Sequence, residues 1–353
     1  MSKIQLDGNK MMYHLDKVNA WSRGELITPI YVAFSPTSYC NHHCVFCVYH
    51  YKEFKPIFFP LERYSRLTSE WAQAGVRSLF FAGDGDPLLN KQCHEMVKLS
   101  KEAGIDVALN TNGRLLSEKN IPTLVKHLTF IRISLNAGSR DNYADIHGTV
   151  PADFDCVLEN IKALVEEKKK QNSQITIGVQ SLLLSKNVHE LKSLTLKLKD
   201  IGVDYFAIKP FLKHPEIPFD DKVENLNDVL DDLAAFSAEM EKENFKFVLR
   251  KTLFFQSGER SYKKCLSTPF MIEVDALGDL YSCGPYIGKE EHKLGNIMNQ
   301  TFQEAWTSEQ AEKARKYVSC SVDPSKCMPF CRPDSVNDFL WKLSNPPQHV
   351  NYI

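Results

Sequence analysis

The chain has 353 residues, enough for one large domain with a smaller companion, and 43% hydrophobic residues exclude a disordered polymer. Lys+Arg number 43 against 44 for Asp+Glu, a net charge of -1, so general affinity for nucleic acid or an anionic membrane is not expected. The first residues, MSKIQLDGNK, form no apolar signal core, and no run approaches the ~18 apolar residues of a membrane-spanning helix. A soluble, cytoplasmic protein is therefore expected. In that reducing compartment its ten cysteines suit metal better than disulfides.

From Ile30 the chain alternates short apolar runs with amphipathic stretches. The runs are Tyr31–Ser35, Ser78–Ala82, Val107–Asn110, Phe130–Asn136, Ile175–Leu183 and Tyr205–Phe211. Between them, Val157, Leu158, Ile161, Leu164 and Val165 make one helical stripe, and Val188, Leu191, Leu194 and Leu198 another. Strands alternating with helices read as βα units around a parallel sheet. Six such units are fewer than a closed eight-stranded barrel needs, so the α/β fold expected is a partial (β/α)6 TIM-like barrel. After Pro210 the character changes. Residues 212–224 are polar and contain proline, as a connection would. A helix is predicted from Leu226 to Met240, and a hairpin in MIEVDALGDLYSC, with Gly278 in its turn. The expected domains are 1–224, including a short N-terminal extension, and a smaller α+β domain at 225–353.

Cys40, Cys44 and Cys47 follow the first predicted strand in a C-x₃-C-x₂-C loop. Three thiolates on so short a tether can hold three irons of a cubane [4Fe–4S] cluster, which normally takes four cysteines. The fourth iron is then left for another ligand, and a metal with an open position is usually catalytic. A zinc site would want C-x₂-C pairs and a local fourth ligand. A second set comprises Cys265, Cys283, Cys320, Cys327 and Cys331. Cys265 and Cys283 flank the predicted hairpin, and Cys327 and Cys331 form a C-x₃-C pair. Four thiolates from this set can close a fully ligated cluster, although a Cys₄ site also suits zinc. Cys93 and Cys156, alone on predicted helices, read as small buried hydrophobes.

The run Cys40-Asn41-His42-His43-Cys44-Val45-Phe46-Cys47, behind the first of six βα units, resembles the radical S-adenosylmethionine (SAM) superfamily over roughly residues 28–212. The resemblance implies a SAM molecule chelating the open iron and cleaved, by the reduced cluster, to a 5′-deoxyadenosyl radical. It places Phe46 near the adenine. It also aligns Asp84-Gly85-Asp86-Pro87, just after Gly83, with a Gly-Gly-Glu-Pro segment that meets the SAM amino group, Asp84 standing for the first glycine and the shorter Asp86 for Glu, with backbone carbonyls able to replace the side-chain contact. Asn112 at the end of the third strand, and Ser134 and Asn136 at the end of the fourth, become SAM candidates, since ligands gather at the carboxyl ends of parallel strands. Gly178-Val179-Gln180 would pass near the adenine.

Lys209 lies inside an apolar strand and needs a partner or a wet cavity, so it is the candidate for catalysis or for binding an anionic substrate group. His214 reads as a solvated loop residue, and Lys168-Lys169-Lys170 as a solvated helix end. The tail, Phe339-Leu340-Trp341 and then His349 to Ile353, is apolar enough to pack back on the body and cover the cluster region. The second cysteine set resembles the auxiliary-cluster domains, SPASM and its shorter Twitch form; with too few cysteines for the two-cluster SPASM form, it better matches the one-cluster Twitch type. The ligands expected are Cys265, Cys283, Cys327 and Cys331, with Cys320 in reserve. The one-cluster pattern also resembles radical dehydrogenases of aminocyclitol antibiotic synthesis. Only about thirty residues precede the cluster strand, which argued against a leader-peptide module. The expected substrate is thus a small polar molecule: a sugar, a cyclitol or a nucleotide-linked sugar. A peptide-modifying maturase and an electron-transfer iron–sulfur protein are the alternatives. An external one-electron donor such as flavodoxin or ferredoxin completes the expected partners.

Overall fold

The computed structural model describes residues 9–52, 55–214, 217–240, 244–255, 260–329 and 331–352. A short helix, α1 (Leu15–Ser22), precedes the βα units. These run β1 (Tyr31–Phe34), α2 (Leu61–Ala74), β2 (Ser78–Phe81), α3 (Cys93–Glu102), β3 (Asp106–Thr111), α4 (Ile121–His127), β4 (Phe130–Ser134), α5 (Arg140–His147), α6 (Ala152–Lys170), β5 (Thr176–Leu183), α7 (Leu191–Ile201) and β6 (Tyr205–Pro210). The chain continues with α8 (Leu226–Met240), β7 (Lys246–Leu249), α9 (Thr252–Phe255), β8 (Met271–Val274), β9 (Asp279–Tyr281), β10 (Lys293–Asn296), α10 (Phe302–Thr307), α11 (Glu309–Cys320) and α12 (Asp334–Ser344). No helix among the described residues is long and apolar enough to cross a membrane.

The strands form one sheet in the order β10-β9-β8-β1-β2-β3-β4-β5-β6-β7. Pairing from β8 through β1 to β7 is parallel, and β8-β9-β10 is antiparallel. The partial barrel expected from the sequence is the core of this sheet. The hairpin expected across Gly278 forms, with a turn glycine at φ +78. Residues 225–353 do not build a sheet of their own, however. The α8–β7 unit adds a seventh parallel strand beside β6, and β8 pairs with β1, Val32 opposite Ile272. The division expected at 224/225 therefore crosses a continuous sheet. Both additions are short strands paired with distant residues, which no local pattern announces.

Residues two apart on a strand share a face, and parallel register carries that parity from strand to strand. Val32, Phe34, Leu79, Phe81, Val107, Leu109, Ile131, Ile133, Ile177, Val179, Phe206 and Ile208 are buried and form the apolar core with the helices. The alternate positions are paired with one another: Ala33 with Phe80, Asn110 with Arg132, Ser134 with Gln180, Leu182 with Lys209, and Ala33 with Glu273. They make the inner face, where polar groups interrupt the apolar lining.

A second, smaller core joins the ends of the chain. Met11, Val18, Ile27, Ile30, Phe270 and Leu340 pack together, so the helix predicted to fold back does so through Leu340. Residues 345–352 beyond it are exposed, so His349–Tyr352, also expected to pack back, do not, and Ile353 lies outside the described residues.

Arg63 on α2 ties the early βα units to the late segment. Its guanidinium pairs with Glu70 at 2.8 Å and donates to the carbonyls of Ile297 at 2.6 Å and Gln300 at 3.0 Å. Removing such a buried charge leaves those acceptors without donors. Arg63→Ala should lower unfolding stability by about 3 kcal/mol in anaerobic denaturant titrations.

Candidate active site and auxiliary metal centre

The cysteine loop leaves β1 and is held by its own backbone. His43 and Val45 donate their N–H groups to the carbonyls of His147 and Ile146, both at 3.0 Å. These are terminal carbonyls of α5, which lack partners inside the helix. Gly148 caps α5 in the left-handed region at φ +56, and a Cβ there would stand 2.4 Å from the His43 carbonyl oxygen. A second clamp comes from the loop after β2. Asp86 N–H donates to the Tyr39 carbonyl at 3.0 Å, and Asn90 donates to the Pro36 carbonyl at 2.9 Å.

The structure brings Cys40, Cys44 and Cys47 together. Burial pushes all three thiols up, Cys40 to about 12, and their mutual repulsion adds to the rise for Cys40 and Cys44. Buried thiols without a cation stay protonated, and metal binding must displace the protons. Phe46 is half-buried, with its ring edge-on to His147 at 6.1 Å.

Gly83 and Gly85 serve close backbone packing. A Cβ on Gly83 would fall 1.6 Å from Ser35 Oγ, and one on Gly85 would fall 2.4 Å from the Tyr39 carbonyl. Asp84 and Asp86 then take different roles. Asp84 Oδ2 pairs with Lys52 Nζ at 2.6 Å, while its buried Oδ1 has no hydrogen-bond partner. A buried lone carboxylate oxygen fits an incoming ammonium group, as SAM carries. Asp86 is turned inward instead. Its carboxylate accepts from Leu88 N at 3.0 Å, Asn112 N at 2.7 Å and Thr111 Oγ1 at 2.8 Å. A direct SAM contact by the Asp86 side chain, expected from the resemblance, is thereby replaced by a bond tying β2 to β3.

The other SAM candidates divide the same way. Ser134 lies half-buried on the inner face, 3.4 Å from Asn110 Nδ2. Asn112 is committed to the cysteine loop, donating to Asn41 at 2.9 Å. Asn136 is buried, and its amide oxygen accepts from Leu182 N at 2.7 Å. Its nitrogen lies 3.3 Å from His147 Nε2, so the side chain supports the fold and does not face a ligand. Gly178 lies under the Tyr205 ring, where a Cβ would clash at 2.0 Å. His214, expected in solvent, is buried and stacked on Tyr51 at 5.6 Å, because Tyr51 bridges to the carbonyls of Pro285 and Ile287 and covers it.

Lys209 is where the inner face becomes distinctive. Burial, then Arg132, Arg250 and Arg332, push its ammonium down to about 6. Among the described residues it has no hydrogen bond or ion pair. Arg132 donates to a neutral acceptor, Asn110 Oδ1, at 2.9 Å. Arg132 and Arg332 both lie against the Phe80 ring, 5.5 Å and 4.7 Å from its centroid. Arg332 also donates to the Tyr31 hydroxyl and lies 3.9 Å from Glu273. Lys209, Arg132 and Arg332 thus gather on the inner face, where Glu273 lies beside Arg332. Arg132 was missed in the sequence, although a charge inside the apolar run Phe130–Ser134 is the same signal that singled out Lys209. Arg332 left no such trace, because its approach to β1 depends on chain folding.

Cys265, Cys283, Cys327 and Cys331 surround one cavity, together with Tyr286, His292 and Asn337. Burial raises the Cys283 thiol, and the other three cysteines raise it further. Asn337 on α12 accepts from the N–H groups of Leu266 and Ser267 and points Nδ2 at Cys265 Sγ, 3.5 Å away. The donor set and enclosure fit a fully ligated four-iron cluster. Cys320 is exposed at the end of α11 and does not line the cavity.

The sequence matches the radical SAM superfamily over residues 34–194 and the SPASM iron–sulfur cluster-binding domain over residues 265–333. With the sheet and the two cysteine sets, this makes the chain a radical SAM enzyme. It belongs to the members with a C-terminal SPASM domain, which bind a [4Fe–4S] cluster with SAM and additional iron–sulfur clusters. It is 22% identical over 301 residues to a tungsten-containing aldehyde ferredoxin oxidoreductase cofactor-modifying protein of Pyrococcus furiosus, covering 79% of this chain and 81% of the relative. It is 24% identical over 327 residues to an AdoMet-dependent heme synthase of Methanosarcina barkeri, covering 85% and 87%. The crystal structure of Streptococcus suis SuiB bound to S-adenosylmethionine shares the fold, with a TM-score of 0.67 at 16% identity over 89% of this chain and 75% of that one.

Two outcomes follow from these positions. Cys327→Ala should lose about four of about eight irons per chain after anaerobic reconstitution, whereas Cys320→Ala should keep them all. Lys209 has a folded pKa below its ordinary value of 10.5, so the unfolded chain binds more protons between about pH 6 and 10.5. Wild-type stability should rise with pH through that window. Lys209→Met should remove the rise and stabilise the protein at pH 7, on the order of a few kcal/mol by anaerobic denaturation.

Proposed function

We propose that this enzyme removes a hydrogen atom from a small anionic molecule, a cofactor precursor bearing carboxylate or phosphate groups, bound on the inner face of the sheet. In this reading Cys40, Cys44 and Cys47 hold three irons of the SAM cluster, and Asp84 Oδ1 receives the SAM ammonium. Ser134 lies on the same face for the ribose or carboxylate. Cluster and SAM, when bound, supply a 5′-deoxyadenosyl radical. Cys265, Cys283, Cys327 and Cys331 would hold the auxiliary cluster, which would supply an acceptor for the electron of the substrate radical as that radical also loses a proton. The first electron comes from an external carrier such as flavodoxin or ferredoxin.

Lys209 supports the substrate class. Burial beside three guanidinium groups, with no carboxylate partner among the described residues, disfavours the charged form of Lys209, and a bound anion would restore it. Arg132 and Arg332, braced on Phe80, offer planar donors suited to carboxylate or phosphate. A neutral sugar or cyclitol, two of the three substrates expected from the sequence, gives the guanidinium groups no counter-charge, and the relatives do not support it; the third, a nucleotide-linked sugar, is itself anionic. The two long sequence relatives are named for a cofactor modification and for heme synthesis, which agrees with an anionic cofactor precursor.

Anaerobic assays with SAM and dithionite test the reading. Formation of 5′-deoxyadenosine should be stimulated by carboxylated or phosphorylated cofactor precursors and not by neutral sugars. Lys209→Ala and Arg132→Ala should cut that stimulation at least about tenfold, the loss of one charge-assisted contact, while leaving the slow cleavage without substrate. Stimulation confined to neutral compounds would sink the substrate assignment, and no deoxyadenosine under any condition would sink the enzyme mechanism.

A further inference from the structure

Beside the cysteine loop lies a buried side chain that the function above does not use. His147, the last residue of α5, is fully buried. Its Nε2 lies 3.1 Å from the backbone nitrogen of Asn136, which can only donate. The Asn136 side-chain nitrogen approaches the same atom at 3.3 Å. That group is the amide nitrogen and not the oxygen, because the oxygen accepts from Leu182 N at 2.7 Å. Two donors converging on Nε2 require it to be the bare nitrogen, so the ring proton sits on Nδ1. Nδ1 lies 3.3 Å from Cys44 Sγ.

The surroundings hold this geometry. Tyr143 stacks on the imidazole at 4.2 Å, one turn earlier on α5. His43 and Val45, the neighbours of Cys44 on either side, are bonded to the terminal carbonyls of the same helix. The histidine and the thiol are therefore fixed to one rigid element from both directions.

We infer that His147 donates an N–H···S hydrogen bond to the Cys44 sulfur and thereby raises the reduction potential of the cluster this loop holds. The inference rests on Cys44 being a cluster ligand. Reduction adds negative charge to the cluster and its sulfurs, and a donor aimed at a ligand sulfur stabilises that charge. Asn136 acts through His147: it selects the tautomer. Both are positioning residues, and neither touches the reacting atoms of SAM or substrate. The bond makes the cluster easier for an external donor to reduce.

The test is an EPR-monitored redox titration of the full chain carrying both clusters. The relevant signal is the one that changes when SAM is added. His147→Phe keeps a ring for Tyr143 to stack on and removes the donor. His147→Asn places an amide N–H near the former Nδ1. The expected result is a fall in midpoint for His147→Phe corresponding to about a tenfold lower reduced-to-oxidised ratio at fixed potential, about 59 mV for a one-electron couple, with His147→Asn close to wild type. An unchanged midpoint in His147→Phe overturns the inference, and so does an equal fall in both variants, which would report packing. Wild-type protein labelled with ¹⁵N-histidine supplies an independent readout. A histidine nitrogen coupling on the SAM-responsive signal is expected by pulsed EPR, and its absence overturns the assignment even where a variant fails to assemble. Failure of the ligand reading looks different: Cys44→Ser would then retain its iron and its SAM response.

Discussion

One constraint organises this enzyme, namely the parity of parallel strand pairing. From β8 through β1 to β7 the register keeps odd and even positions in step, so a single choice of inward residue on β1 determines the inward residues on every other strand. The outer set is apolar and locked against helices. The inner set is free of that demand and carries Arg132, Ser134, Gln180, Lys209 and Glu273. Slipping any strand by one residue would bury these charges in the helix layer and expose Ile131, Ile133 or Ile208. Fold stability and the chemistry of the inner face thus have the same origin.

The loops that serve the metal centre solve a different problem. A short segment with three buried thiols contributes little apolar surface, so it must be anchored through its backbone. The helix-terminal carbonyls of α5 hold one side, and the loop after β2 holds the other, through contacts too close for any side chain at Gly83 and Gly85. Much of the polar chemistry near the site is consequently structural. Asp86, Asn112 and Asn136 sit where a ligand-facing residue would be sought, yet each is committed to a neighbouring backbone or loop.

That division explains what was legible in the chain before folding. The βα alternation, α8 at Leu226–Met240 and the hairpin around Gly278 all follow from local patterns of period 3.6 or 2, and each appears in the structure. The two cysteine sets were readable from spacing and type, and the fold gathers Cys40, Cys44 and Cys47 at one site and Cys265, Cys283, Cys327 and Cys331 at another, leaving Cys320 outside. Side-chain direction at strand ends was not readable. Asp86 turns inward because Asn112 N and Thr111 lie on the adjacent strand, a fact of tertiary pairing alone. The same holds for β7 and β8, which join the sheet edges across long sequence separations. His147 also escaped notice, since its partners Cys44 and Asn136 are brought to it by two different loops.

Arg332 immediately follows Cys331 in the chain, and its guanidinium reaches across to Tyr31 and Phe80 on β1 and β2. The backbone that fixes that cysteine also aims the arginine, so a shift in the C-terminal thiol cage is carried to the inner face of the sheet. In the proposed reading, filling the distal thiol cage with metal and aiming this arginine at the substrate are coupled through a single peptide bond.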